Sequence, residues 1–312
     1  MPPLASSAAP RGTLVVLGGG DDDPLIARLA GLLHDRNASI EVLTTATRRQ
    51  PARTAAAYAH VWHQLGCPHV RHLQVDERNP ADDPATLVRL RRAALVFMSG
   101  GDQERLTDFL LGTEFLEVLR DKYQLDENFI LAGTSAGASA VAEVMLVNGY
   151  GWRSLLAGNI EVKPGLGLVP GVLFDQHFAE RGRYPRLMHA VLAQPELLGV
   201  GLSDDTGLII RPDRPAEVFG DEAVIVIDAA HATHNNLAGL AEAQVISGHG
   251  LRLHVLVAGQ QLDLSTRQVG PGPLKQEADD VTAASIVRRR VRRHFPRSVA
   301  FLPGHQSGLP LR

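Results

Sequence analysis

The sequence predicts an α/β fold: a doubly wound, mostly parallel sheet flanked by helices, with additional antiparallel strands in the C-terminal half. Three observations carry this expectation. Leu14-Val15-Val16-Leu17 and Ala94-Leu95-Val96-Phe97-Met98 are continuous apolar runs, the pattern of strands buried on both faces. The first stops at Gly18-Gly19-Gly20, the second just before Gly100-Gly101. Apolar residues at helical spacing follow each glycine loop, so strand, loop and helix alternate.

In chain order, the first strand is Leu14 to Leu17. Leu25, Ile26, Leu29, Leu32 and Leu33 then mark one face of a helix from Pro24 to Arg36. Ile40 to Leu43 is a second strand, Arg53 to Leu65 a second amphipathic helix, and Val70 to Val75 a third strand. A helical turn at Leu87 to Arg92 leads to the strand ending at Met98, and Gln103 to Leu119 is helical again. Phe129 to Ala132 is a buried strand. Beyond the loop after it, the pattern changes. Val200 to Ile210, Ala223 to Asp228 and Leu251 to Val257 read as strands separated by turns, partly antiparallel. The expected organisation is a flexible N-terminal segment (1–12), one α/β domain (13–267) and a basic C-terminal extension (268–312).

Composition excludes several classes of function. With 312 residues, 45% hydrophobic and 21% charged, the chain has ordinary globular composition. A net charge of -3 gives no general attraction to nucleic acid or anionic membrane. The run Arg288-Arg289-Arg290-Val291-Arg292-Arg293 reads as a solvated helix face or an oligomer contact, with docking of a polymer or nucleic acid as the alternative, though no aromatics are interleaved for base stacking. The single cysteine, Cys67, cannot form an intrachain disulfide, which favours a reducing compartment. No apolar run approaches the ~20 residues of a membrane span, and the N-terminus lacks the apolar core of a secretory signal as it stands. A cytoplasmic protein is expected, with neither nucleic acid nor membrane as partner.

The strongest local signal is Phe129-Ile130-Leu131-Ala132-Gly133-Thr134-Ser135-Ala136-Gly137-Ala138. A buried strand runs into Gly-x-Ser-x-Gly and then into an alanine-rich helix, the context of a nucleophile elbow. Small neighbours let the backbone turn sharply and push the Ser135 hydroxyl into the site. The N–H of Ala136, at the start of the helix, is placed for an oxyanion hole. Gly100 or Gly101 would supply a second donor, because glycine lets the backbone approach a substrate closely. Gln103 would project into the cleft as a polar specificity group, or simply begin a helix capped by Asp102.

A serine nucleophile needs a base. Of thirteen histidines, His34, His60 and His63 sit in helical stretches, and His69 and His72 flank a strand. His231 and His234 lack the third ligand of a metal site, and no metal or cofactor is expected. His177 differs, lying in the polar break Phe174-Asp175-Gln176-His177-Phe178. The carboxylate that would fix its tautomer comes from Ser203-Asp204-Asp205-Thr206, with Asp204 and Asp205 as candidates. Arg181, Arg183 and Arg186 read either as a solvated basic face or as forks for substrate carboxylates. Gly18-Gly19-Gly20 lacks the Gly-x-Gly-x-x-Gly spacing of a dinucleotide loop.

These pieces resemble the cyanophycinases, serine peptidases related to the aspartyl dipeptidases (peptidase E). They stand in that family's order: Leu14 to Gly20, Gly100-Gly101-Asp102-Gln103, Gly133 to Ala138, Pro164-Gly165-Leu166-Gly167-Leu168, Asp175-Gln176-His177-Phe178 with the three arginines, and Gly199-Val200-Gly201-Leu202. The resemblance covers about residues 12 to 265. It implies a class I glutamine amidotransferase-like α/β fold, a serine triad and a homodimer. The implied substrate is cyanophycin, a polyaspartate with arginine joined to each β-carboxyl, and the product is the β-aspartyl-arginine dipeptide. Ser135 would be the nucleophile, His177 the base, and Gln103, Asp175, Gln176, Arg181, Arg183 and Arg186 candidates for substrate binding. The family has a glutamate as the third triad member where this chain has Asp204. An aspartate is one methylene shorter and reaches the histidine if the backbone moves by ~1.5 Å; Asp205 is the alternative. Two other readings stay open: a related aspartyl or isoaspartyl peptidase, and an inactive binding protein of the same fold.

Overall fold

The computed structural model describes residues 9–271. The first half alternates strands and helices: β1 (Thr13–Leu17), α1 (Asp23–Ala30), β2 (Ile40–Leu43), α2 (Pro51–Gln64), β3 (Val70–Leu73), α3 (Pro84–Arg92), β4 (Leu95–Met98), α4 (Gln103–Leu110), α5 (Glu114–Leu125), β5 (Ile130–Thr134) and α6 (Ala136–Ala140). The middle adds β6 (Val144–Asn148), a 3-10 turn (Gly151–Leu155), β7 (Glu161–Pro164), β8 (Val172–Gln176), α7 (Tyr184–Ala193) and β9 (Leu198–Leu202). Then come β10 (Thr206–Ile210), β11 (Ala216–Gly220), β12 (Val224–Asp228), a small hairpin of β13 (His234–Asn235) and β14 (Gly248–His249), β15 (Arg252–Leu256), β16 (Gln261–Leu262) and β17 (Val269–Gly270).

The central sheet has nine strands in the order β17-β16-β11-β10-β1-β5-β4-β2-β3. From β1 to β3 every pairing is parallel, and from β1 outward to β17 every pairing is antiparallel. The expected doubly wound architecture with antiparallel strands in the C-terminal half is therefore present. A second sheet, β15-β12-β9-β8, was not anticipated as a separate layer.

The central strands are apolar throughout because both faces are covered. Leu14 and Val16 of β1 join a core with α3, α4, α5 and the second sheet. Val15 and Leu17, their alternate neighbours, join a core with α1 and α2 that includes Leu29 and Trp62. A third core packs α7 against Leu173, Ile225 and Ile227 of the second sheet.

Several boundaries depart from expectation. The helix expected from Gln103 to Leu119 is two helices. Gly112, at φ 76°, breaks it, and the Thr113 hydroxyl caps α5 by accepting from Leu116 N. The strand expected from Val200 to Ile210 is also two, β9 and β10, in different sheets. Asp175 and Gln176 are not a polar break but the end of β8. Arg11 and Gly12, placed in the flexible segment, donate backbone bonds to Gln124 O and Tyr123 O, and β17 lies past the domain end expected at 267. The arginine run 288–293 lies outside the described residues. Among the described residues, no helix is long and apolar enough to cross a membrane.

Candidate active site

β1, β4 and β5 are neighbours, so the loops at their carboxyl ends converge. They carry Gly18 to Gly20, Ser99 to Gly101, and Ser135. Ser135 links β5 to α6 at φ 51° and ψ −110°, a conformation that costs a non-glycine residue ~1–3 kcal/mol. His177 and Asp205 also have positive φ, 47° and 56°. Strain of this kind persists only where the surroundings over-determine it.

Here the surroundings are three successive carbonyls. Leu17 O accepts from Ser135 N at 3.0 Å, Gly18 O from His177 N at 3.0 Å, and Gly19 O from Asp205 N at 2.8 Å. The glycine loop thus holds residues from β5, β8 and the β9–β10 connection in one frame. Gly19, at φ 111°, also lies directly against the histidine: a Cβ there would stand 2.2 Å from His177 Cε1. The sequence marks Gly18 to Gly20 as a loop closing a buried strand and as a piece of the family pattern, but this anchoring role was missed. The available signal was three glycines directly after a buried strand.

The side chains form a line. Ser135 Oγ lies 2.8 Å from His177 Nε2, and His177 Nδ1 lies 2.5 Å from Asp204 Oδ1. Asp204 is in turn anchored through its N–H, which donates to Glu180 Oε2 at 3.1 Å. Asp205, the alternative acid, accepts from Asp21 N at 2.6 Å and so faces the glycine loop. Gln176 Oε1 is 3.3 Å from Ser135 Oγ. Gly100 abuts the serine, since a Cβ on it would be 3.2 Å from Ser135 Cβ, whereas Gly101 lies against the Ala46 carbonyl. Ala136 opens α6, where a helix N–H has no partner within the helix.

The remaining predicted residues divide. Gln103 is buried, and its amide nitrogen donates to Leu146 O at 2.7 Å, so that nitrogen holds β6 instead of facing the cleft. Asp102 caps α4 by accepting from Glu104 N, the alternative expected for this stretch. Asp175 and Arg186 are buried partners, with Arg186 Nε 2.7 Å from Asp175 Oδ2, and Arg183 joins the same carboxylate at 3.0 Å. Burial pushes the Arg183 guanidinium down to about 10 against the pull of Asp175. These two arginines are not a solvated face; they tie the start of α7 to the end of β8. Arg181 is exposed.

One further carboxyl was not singled out. Asp22 accepts from the Tyr58 hydroxyl and from the Thr134 hydroxyl, each at 2.8 Å. Thr134 immediately precedes the serine. Burial raises the Asp22 pKa to about 6, opposed by those two hydrogen bonds and by His177.

Comparison with known proteins identifies the family. The family model of peptidase family S51 matches residues 14–218. A cyanophycinase of Trichormus variabilis is 31% identical over 86% of this chain and 91% of its own length. One from Synechococcus elongatus is 34% identical over 83% of this chain and 81% of its own length. In fold, the chain is similar to the crystal structure of a peptidase from an acI-B1 Actinobacterium, with a TM-score of 0.59 and 22% identity over 81% of this chain and 97% of that one. The chain belongs to peptidase family S51 and is a serine-type peptidase.

Proposed function

We propose that the enzyme hydrolyses cyanophycin to β-aspartyl-arginine dipeptides through a Ser135-His177-Asp204 triad. The observation that carries this reading is the hydrogen-bonded line from Ser135 Oγ through the imidazole to Asp204, in a chain similar to cyanophycinases. Ser135 Oγ attacks the carbonyl carbon of an aspartyl peptide bond while His177 Nε2 takes the hydroxyl proton. The N–H groups of Ala136 and of Gly100 or Gly101 receive the oxyanion, each donor being worth roughly 2.7–4 kcal/mol of transition-state stabilisation. His177 returns the proton to the leaving amine, and water then cleaves the ester. Asp204 holds the Nδ1–H tautomer that this sequence of transfers needs. Its shorter reach compared with glutamate is met by its own loop, which brings Oδ1 to the ring.

The test is hydrolysis of purified cyanophycin, with products separated by mass. The wild-type protein is expected to release the dipeptide, and Ser135→Ala to fall by at least ~10⁴-fold while keeping its melting temperature. Undiminished release by Ser135→Ala would overturn the triad. Turnover of aspartyl dipeptides without turnover of polymer would favour the related-dipeptidase reading. A homodimer is part of this reading, and sedimentation of the full chain tests it.

A further inference from the structure

Beside the hairpin of β6 and β7, with the 3-10 turn between them, lies an open cleft of about 510 Å³. That is an ordinary size for a small-ligand site. Its lining residues are of opposite character: Arg153, Glu161, Tyr150, Asn148 and Asn159. Tyr150 is 77% exposed, and its neighbour Trp152 is 66% exposed. Among the described residues no carboxylate pairs with Arg153, whereas Glu161 shares Lys163 with Glu104.

Two chains of contacts link the cavity wall to the serine. On one side its wall residue Gly149 lies against Arg186, with a Cβ on Gly149 standing 3.0 Å from Arg186 Cβ. Arg186 pairs with Asp175, and the next residue, Gln176, lies 3.3 Å from Ser135 Oγ. On the other side Leu146, two residues before Asn148, is held by Gln103, which follows the Gly100-Gly101 loop.

An arginine joined through its α-amino group keeps a free carboxylate at one end and a guanidinium at the other, with three methylenes between. A cation, an anion and an aromatic face around one cavity complement that group. We propose that this cavity is the subsite for an arginyl side chain of the substrate, with Arg153 pairing its carboxylate, Glu161 its guanidinium and Tyr150 covering its stem. The proposal rests on the cyanophycin reading above.

The experiment measures binding, by calorimetry, to the Ser135→Ala protein. The ligands are a β-aspartyl-arginine oligomer and the same oligomer with citrulline, which replaces the guanidinium by a neutral urea. Tyr150→Ala, Arg153→Gln and Glu161→Gln should each weaken binding of the arginine oligomer by about 3- to 10-fold. Citrulline should weaken binding to the parent by a similar factor and make little difference to Glu161→Gln, because both changes remove the same pair. A general loosening of the hairpin would not produce that non-additivity. Unchanged binding in all three variants, or a citrulline penalty that persists in full in Glu161→Gln, would overturn the subsite. If the binding pattern holds and the Ser135-intact enzyme leaves the polymer uncut, the hydrolysis reading falls and the subsite stands.

Discussion

Asp204 reaches His177 from a loop whose next residue, Asp205, is turned toward the glycine loop. The two carboxylates are adjacent in sequence, yet only Asp204 lies at Nδ1. Asp204→Asn keeps the volume but replaces the carboxylate by an amide whose NH2 can face Nδ1 and favour the wrong tautomer, and kcat is expected to fall about 10⁴-fold; steady-state kinetics on the polymer checks this. Asp205→Asn, which retains an acceptor for Asp21 N, should lose far less. Asp22 carries a different signature. Burial raises its pKa to about 6 in the folded protein, against the ordinary 3.8 of an aspartate. The native state therefore binds its proton more tightly than the unfolded chain does, and stability falls as pH rises through that window. Asp22→Asn cannot titrate. Its stability relative to the parent should rise between pH 4 and pH 7 by up to ~3 kcal/mol, from about 1.4 kcal/mol per pKa unit. Denaturant melts at the two pH values test this, and a constant difference would refute it.

The short connections decide the geometry at the scale of elements. Gly18 to Gly20 is three residues long, and the carbonyls of Leu17, Gly18 and Gly19 anchor Ser135, His177 and Asp205 in turn. Gly19→Ala would put a methyl 2.2 Å from the His177 ring on a backbone at φ 111°. The ring must move or the loop must open. The expected result is a loss of more than about 2 kcal/mol of stability together with nearly all activity, read from melts and kinetics on the same preparation. The break at Ser203-Asp204-Asp205 acts similarly. Because β9 and β10 belong to different sheets, the chain must turn between them, and the turn carries the acid to the histidine. Ser203-Asp204-Asp205-Thr206 interrupts the apolar residues between Val200 and Ile210, yet the change of sheet stays hidden, since periodicity reports burial and not which sheet a strand joins.

Across the whole molecule, two cores cover the central sheet, and only one of them includes α6 and the second sheet. The other, beneath α1 and α2, contains fully buried Leu29. Leu29→Ala is expected to cost roughly 2–5 kcal/mol through the cavity it leaves, while KM stays near the parent value at temperatures where the protein is folded. Thermal melts beside kinetics check it. A large change in KM would mean that this core and the site are coupled.

Local patterns were sufficient for the parallel half of the sheet and for the strand, turn and helix around Ser135, because each depends on residues adjacent along the chain. A buried strand reads as an apolar run, and an elbow reads as small residues around a serine. Asp204 as the acid at His177, the anchoring of Arg183 and Arg186 on Asp175, and the inward turn of Gln103 were not decided locally. In each of them the partner lies on another element, 8 residues away for Arg183 and Asp175 and 43 for Gln103 and Leu146. Only folding brings those groups within a hydrogen bond of one another, and the buried ones, Asp175, Arg186 and Gln103, must then find their partners inside the protein.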